Sequence, residues 1–145
     1  MILVDSSILL YAYDKTSDWY GIAEGWLAKT FATEPVVRLA EVTVLGFLRI
    51  VTDVRMVRMA RPVDDAVRIV SGWLARANVD VLEPSSQHWS LLSALLIDSR
   101  TAGPRVTDAH LATLAIEHGA TLYTNDRDFR RFPGLSVRFP LLDSR

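Results

Sequence analysis

Short apolar runs alternate with longer helix-period stretches along the whole chain, and that alternation restricts the fold more than any other feature. Ile2-Leu3-Val4, residues 35–39, Val79-Asp80-Val81-Leu82 and Thr121-Leu122-Tyr123 read as strands, with residues 136–139 as a fifth. Between them the spacing predicts helices. Ser6-Ser7 caps one running to Tyr13, and Ser17 and Asp18 open a second, reaching Phe31, in which Trp19 and Trp26 share a face. A third covers residues 41–52, with Leu45, Leu48 and Val51 at helical intervals. Pro62 starts a fourth that ends near Asn78, with Asp64 and Asp65 in its first turn. Ser85 starts a fifth, reaching Ile97. After the break at Gly103-Pro104, Thr107 caps a sixth through His118, closed by Gly119. Strands separated by helices are joined by crossovers, so the expected class is α/β with a central parallel sheet covered on both faces.

The chain has 145 residues, half of them hydrophobic, enough for one packed domain over 1–145. It lacks cysteine, which removes disulfides and thiolate metal sites and fits a cytoplasmic location. No apolar run approaches the ~18 residues of a membrane span, and the acid at Asp5 comes too early for a secretory leader. A net charge of −1 argues against a broad nucleic-acid footprint. Of the 16 basic residues only Lys15 and Lys29 are lysine. The dense group Arg49, Arg55, Arg58 and Arg61, helical by its three-residue spacing, reads as a phosphate-binding, partner-binding or solvated face. Arg127, Arg130 and Arg131 lie beside Asp126, which favours phosphate for that group.

In a parallel sheet, ligands bind beyond the C-terminal strand ends. Asp5 directly follows the first strand; Asp126 and Asp128 follow the fourth; Asp108 begins an otherwise apolar helix. Each has a plain alternative as a cap or a dipole partner. Carboxylates gathered at one sheet end repel one another unless a cation neutralises them, and oxygen ligands without His or Cys favour Mg²⁺, with Mn²⁺ as a substitute. Such an ion suits phosphodiester hydrolysis, supporting the attacking water and the leaving oxygen. His88, His110 and His118 show no metal-ligand spacing and read as structural or surface residues.

Four segments together resemble PIN domains of the VapC toxin family, in its mycobacterial-type subgroup. They are residues 2–9 (ILVDSSIL), 47–52 (FLRIVT), 106–112 (VTDAHLA) and 123–135 (YTNDRDFRRFPGL). The resemblance implies a three-layer α/β/α fold, Mg²⁺-dependent cleavage of RNA, a homodimer and a VapB-type antitoxin. Asp5, Asp108 and Asp126 match the family's first, third and fourth acids, the metal-binding and catalytic set. Where many relatives carry a second acid, this chain has Gly46; Glu41, five residues earlier, is the candidate replacement. Ser6, next after Asp5, is expected to bond a metal-bound water or a ligating carboxylate, to cap the helix, or to do both. Asn125 and Asp128 are expected to support the site from the loop after the fourth strand. The alternative is a catalytically silent PIN-like module that binds RNA or protein.

Other strand-then-acid enzymes fit less well. A haloacid-dehalogenase-type phosphatase needs Asp at position 7, which is Ser7. A phosphorylation receiver needs a late Lys. No phosphate loop of the Gly-x-x-x-x-Gly-Lys type and no Gly-x-Gly-x-x-Gly occurs.

Overall fold

The computed structural model describes residues 1–144. Its five strands are β1 (Ile2–Val4), β2 (Val37–Ala40), β3 (Val79–Leu82), β4 (Thr121–Tyr123) and β5 (Val137–Arg138). They form one all-parallel sheet in the order β3-β2-β1-β4-β5. The helices are α1 (Ser6–Tyr13), α2 (Tyr20–Thr33), α3 (Glu41–Val51), α4 (Val63–Leu74), α5 (His88–Ser99) and α6 (Val106–Glu117).

Alternate residues of a strand point to opposite faces, and the core divides accordingly. Ile2 and Val4 of β1 pack with Ile8, Leu27, Phe47 and Trp73 from α1–α4. Leu3 faces the other way, with Leu95, Leu111 and Leu114 from α5 and α6. Three layers result, with β1 buried on both sides, which is why its three residues are all apolar. Trp73, the tryptophan among the buried core residues, lies 4.7 Å from Phe47 between ring centroids, and its indole N–H donates to the Tyr13 hydroxyl at 3.1 Å. That bond spares the core an unpaired donor, which costs about 1–3 kcal/mol when buried.

The chain first builds outward from β1 to β2 and β3, then returns across the sheet to β4. Right-handed crossovers taken in opposite directions put helices on opposite faces. The gap between β1 and β4 is the point where this direction reverses, the place where open α/β sheets bind ligands.

Several boundaries differ from the sequence expectation, each for a local reason. Asp5, not Ser6-Ser7, caps α1: its carboxylate accepts from the Ser6 N–H at 2.8 Å, so both serines are already helical. Thr107 lies inside α6, which continues directly from a 3₁₀ turn over Gly103–Arg105. Trp19 precedes α2 and tilts against Tyr11, whereas Trp26 stacks on Tyr123. Pro62 is the residue before α4 rather than its first. That helix stops at Leu74, and Asn78 ties the following turn to the end of α2 through the carbonyls of Phe31 and Glu34. Residues 55–61 are not helical: Asp53 takes the Arg55 N–H on its side chain at 2.9 Å, a local bond that competes with helix. Arg55, Arg58 and Arg61 therefore share no helix face. Gly119 closes α6 as expected, at φ +63° with its N–H on the Ile116 carbonyl and Ala120 bonded to Ala115.

Candidate active site

Asp5 leaves β1 with its N–H on the Tyr123 carbonyl at 2.9 Å, so the ladder to β4 continues up to the acid. It is 7% exposed. Besides the Ser6 N–H, two hydroxyls converge on the same Asp5 oxygen: Ser7 at 2.8 Å and Thr124 at 2.7 Å. A hydroxyl has one hydrogen to give, and both donate it here. Their lone pairs then take the backbone of the opposite loop: Ser7 accepts from the Asn125 N–H and Thr124 from the Asp126 N–H, each at 3.0 Å. The two side chains thus relay hydrogen bonds from a buried carboxylate to the loop that carries Asp126. The Ser6 hydroxyl also donates to Asp5, as expected but at a longer 3.4 Å; Ser7 makes the shorter bond, which the sequence reading did not single out.

Asp126 caps the 3₁₀ turn of Arg127–Arg131 by accepting from the Asp128 N–H at 2.9 Å. Asp108 stands in the first turn of α6. Asp108 and Asp126 are joined by a residue the sequence reading passed over. One nitrogen of Arg105, Nη1, donates to both carboxylates at 3.1 Å, and Nη2 bonds Asp128. The two acids' oxygens are therefore no further apart than twice that length. Burial raises the Asp108 carboxyl above its ordinary pKa; Arg105 opposes this, and the charges of Asp5 and Asp126 add to it. Arg105 thus brings Asp108 to Asp126, and Thr124 brings the Asp126 backbone to Asp5.

Glu41 follows β2, as expected, and opens α3, but it is exposed and has no side-chain hydrogen bond or ion pair among the described residues. Asn125 has its side-chain oxygen buried without a partner. Arg130 and Arg131 lie over the rings of Phe139 and Phe132, and Arg131 also bonds the Ser99 carbonyl. The histidines form a separate chain between α5 and α6: Glu117 to His88 at 3.0 Å, and His88 to His110 at 2.9 Å. Burial, reinforced by His88, holds His110 below its ordinary pKa.

Whether these residues suit a divalent ion is a matter of donor chemistry and of Arg105. The donors are hard oxygens, and a cationic nitrogen already bridges two of them, so the position attracts positive charge. No group of three or more acidic or histidine side chains is disposed to hold a metal among the described residues. In kind the donors suit a divalent ion, and the Arg105 side chain that now occupies their edges is 38% exposed.

A family model for the PIN domain matches residues 2–135. Ribonuclease VapC37 of Mycobacterium tuberculosis is 35% identical over 135 residues, 93% of this chain and 94% of the relative. Ribonuclease VapC33 of the same species is 34% identical over 141 residues, covering 97% and 99%. Among solved structures, VapBC2 from Rickettsia felis bound to a promoter DNA fragment has a TM-score of 0.67 at 21% identity, covering 95% of this chain and 98% of that one. Mycobacterium tuberculosis VapC20, described as a toxin cleaving the Sarcin-Ricin loop, has a TM-score of 0.66 at 20% identity, covering 94% and 99%. The sheet order, the acids at its reversal point and these likenesses agree: the chain belongs to the PIN-domain family, in its VapC group.

Proposed function

We propose that this protein is a Mg²⁺-dependent ribonuclease toxin that hydrolyses RNA phosphodiester bonds at Asp5, Asp108 and Asp126. The observation that carries the reading is the meeting of Asp108 and Asp126 on one Arg105 nitrogen, beside a buried Asp5 whose partner Thr124 also holds the backbone of Asp126. Relatives named ribonucleases at 34–35% identity over nearly the full length support the same activity. A bound divalent ion supplies charge neutralisation at the phosphate and makes water a better nucleophile near neutral pH. Mn²⁺ offers similar chemistry.

The chain's own residues do the positioning. Ser7, Thr124 and the Ser6 N–H fix the orientation of Asp5, and the same hydroxyls hold the loop of Asp126 against it. Asp128 steadies that loop through its N–H, and Asn125 offers an open acceptor beside it. Arg105, once off the acids, leaves a permanent positive charge within reach of an RNA phosphate.

We further read residues 1–145 as one domain, acting in the cytoplasm as a homodimer paired with a VapB-type antitoxin. No helix among the described residues is long and apolar enough to cross a membrane. Solved VapBC complexes share the fold, and Val54, Met56 and Met59 stand exposed in the irregular segment before α4, an apolar surface suited to a protein partner. The lack of any bond to Glu41 favours a second reading, a silent module that binds RNA without cutting it.

Purified protein incubated with RNA in Mg²⁺, in EDTA, and as the variants Asp126→Asn and Glu41→Gln separates these. The expected result is cleavage only with the metal, lost on removing Asp126. A Glu41→Gln variant at full rate would confine the site to three aspartates; a large loss would make Glu41 the fourth acid. Binding without cleavage in Mg²⁺ and Mn²⁺ would establish the silent module.

A further inference from the structure

We propose that Arg105 is a built-in competitor for the metal position: its guanidinium neutralises the acids in the metal-free protein, and a divalent ion binds only by displacing it. The inference rests on the metal-dependent reading above and goes beyond it by assigning the resting state of the site.

Three features carry it. First, Nη1 bridges Asp108 and Asp126, two of the three proposed ligands, while Nη2 holds Asp128. A guanidinium hydrogen-bonded to a carboxylate edge and an ion coordinated at that edge exclude each other sterically and by like charge. Second, arginine cannot relieve the conflict by losing its proton, so the exchange is one cation for another. Third, the local chain permits release. Arg105 ends a short 3₁₀ turn beginning at Gly103, where φ is +61°, and residues 102–104 are exposed. The backbone of Arg105 is fixed as the entry to α6, so only the side chain has to swing.

Asp108, Asp126 and Asp128 share this one side chain, and Thr124 links Asp5 to the backbone of Asp126. Without Arg105 the metal-free site is a set of mutually repelling acids, and with a metal bound Arg105 has no place among them. Removing it therefore destabilises the metal-free state alone. By linkage, whatever the competitor contributes to one state is subtracted from apparent affinity for the ion. Three partly exposed contacts, each weakened by solvent, correspond to roughly a tenfold difference in affinity.

Mg²⁺ and Mn²⁺ binding to the full chain is measured by calorimetry for the parent, Arg105→Gln, Arg105→Lys and, as a loss-of-site control, Asp126→Asn. Melting temperatures are taken with EDTA and with saturating Mg²⁺. Arg105→Gln is expected to bind about tenfold more tightly, to melt lower in EDTA, and to match the parent in Mg²⁺. Arg105→Lys keeps the charge but lacks the fork that spans three carboxylates, so an intermediate affinity is expected, and it serves if the glutamine variant does not fold without metal. Equal or weaker binding in both Arg105 variants, with the parent binding normally, would overturn the competition and leave the metal site standing. No binding to any of the four proteins would remove the metal reading and the competition with it.

Discussion

Replacing Thr124 by Val tests the hydroxyl relay, because it keeps the side chain's shape and deletes its only polar atom. Thr124 is fully buried, donates to Asp5 at 2.7 Å and accepts from the Asp126 N–H at 3.0 Å. Losing a hydrogen bond to a charged acceptor costs about 1.5–3 kcal/mol, and stranding a buried N–H about 1–3. Asp5 keeps Ser7 and the Ser6 N–H, and Asp126 is part-exposed, so the sum is discounted to about 2–4 kcal/mol. Against a usual total of about 5–15 kcal/mol that is a large share. At roughly 2–4 °C per kcal/mol for a domain near this size, Tm should fall by about 5–15 °C. The assay is urea and thermal unfolding in EDTA, so that no metal enters the balance, with Thr124→Ser alongside. Serine restores both bonds and should recover all but about 1 kcal/mol, the worth of one buried methyl. A valine variant within about 1 kcal/mol of the parent would show that the hydroxyl carries no such load, and the relay would fail as the device that joins Asp5 to the Asp126 loop.

Two further outcomes follow from local geometry. Arg100, exposed and left-handed at φ 51° where α5 ends, is the one non-glycine residue at positive φ among those described; Arg100→Gly should gain about 0.5–1 kcal/mol, read as a higher urea midpoint at unchanged slope. His110 is held below its ordinary value of 6.5, so the unfolded chain takes up a proton that the fold refuses; the stability it contributes is full above pH 6.5 and is lost as the pH falls through the folded value. His110→Gln should flatten that acid-side loss between pH 7 and 5, and an unchanged slope would show that the ring titrates normally.

The strands were legible because a buried parallel sheet favours short, mainly apolar runs: β1, β3 and β4 lie where those runs stand, Arg38 and Asp80 being the charged interruptions in β2 and β3, and β2 covers Val37–Ala40 rather than 35–39. The positions of Asp5 and Asp126 followed from the strand ends. Arg105, Ser7 and Thr124 were harder to see, since their roles join positions that no period relates. Thr124 meets Asp5 across 119 residues, and Arg105 meets Asp126 across 21. A signal for Arg105 did exist: a lone basic residue three before Asp108 at a helix entry is placed to reach back over the first turn. The cap of α1 was misassigned because Asp and Ser satisfy the same N–H groups and the one outside the helix, Asp5, does so; α2 and α6 start without a side-chain cap, at Trp19 and Arg105. The expected helix over Arg55, Arg58 and Arg61 failed on a single competing side chain, Asp53.

The place of β1 in the sheet bears on how this protein is made. The strand precedes the other four in the sequence, yet its partner β4 is made only after β2 and β3. A growing polypeptide that has reached α5 has β1, β2 and β3 available to pair, but neither the Thr124 hydroxyl nor Asp126 for Asp5 to meet. Contacts of such long sequence separation form late. Asp5 is thus separated from the Thr124 hydroxyl and from Asp126 until β4 and the loop after it have been made, so the buried end of β1 is completed by one of the later steps of folding.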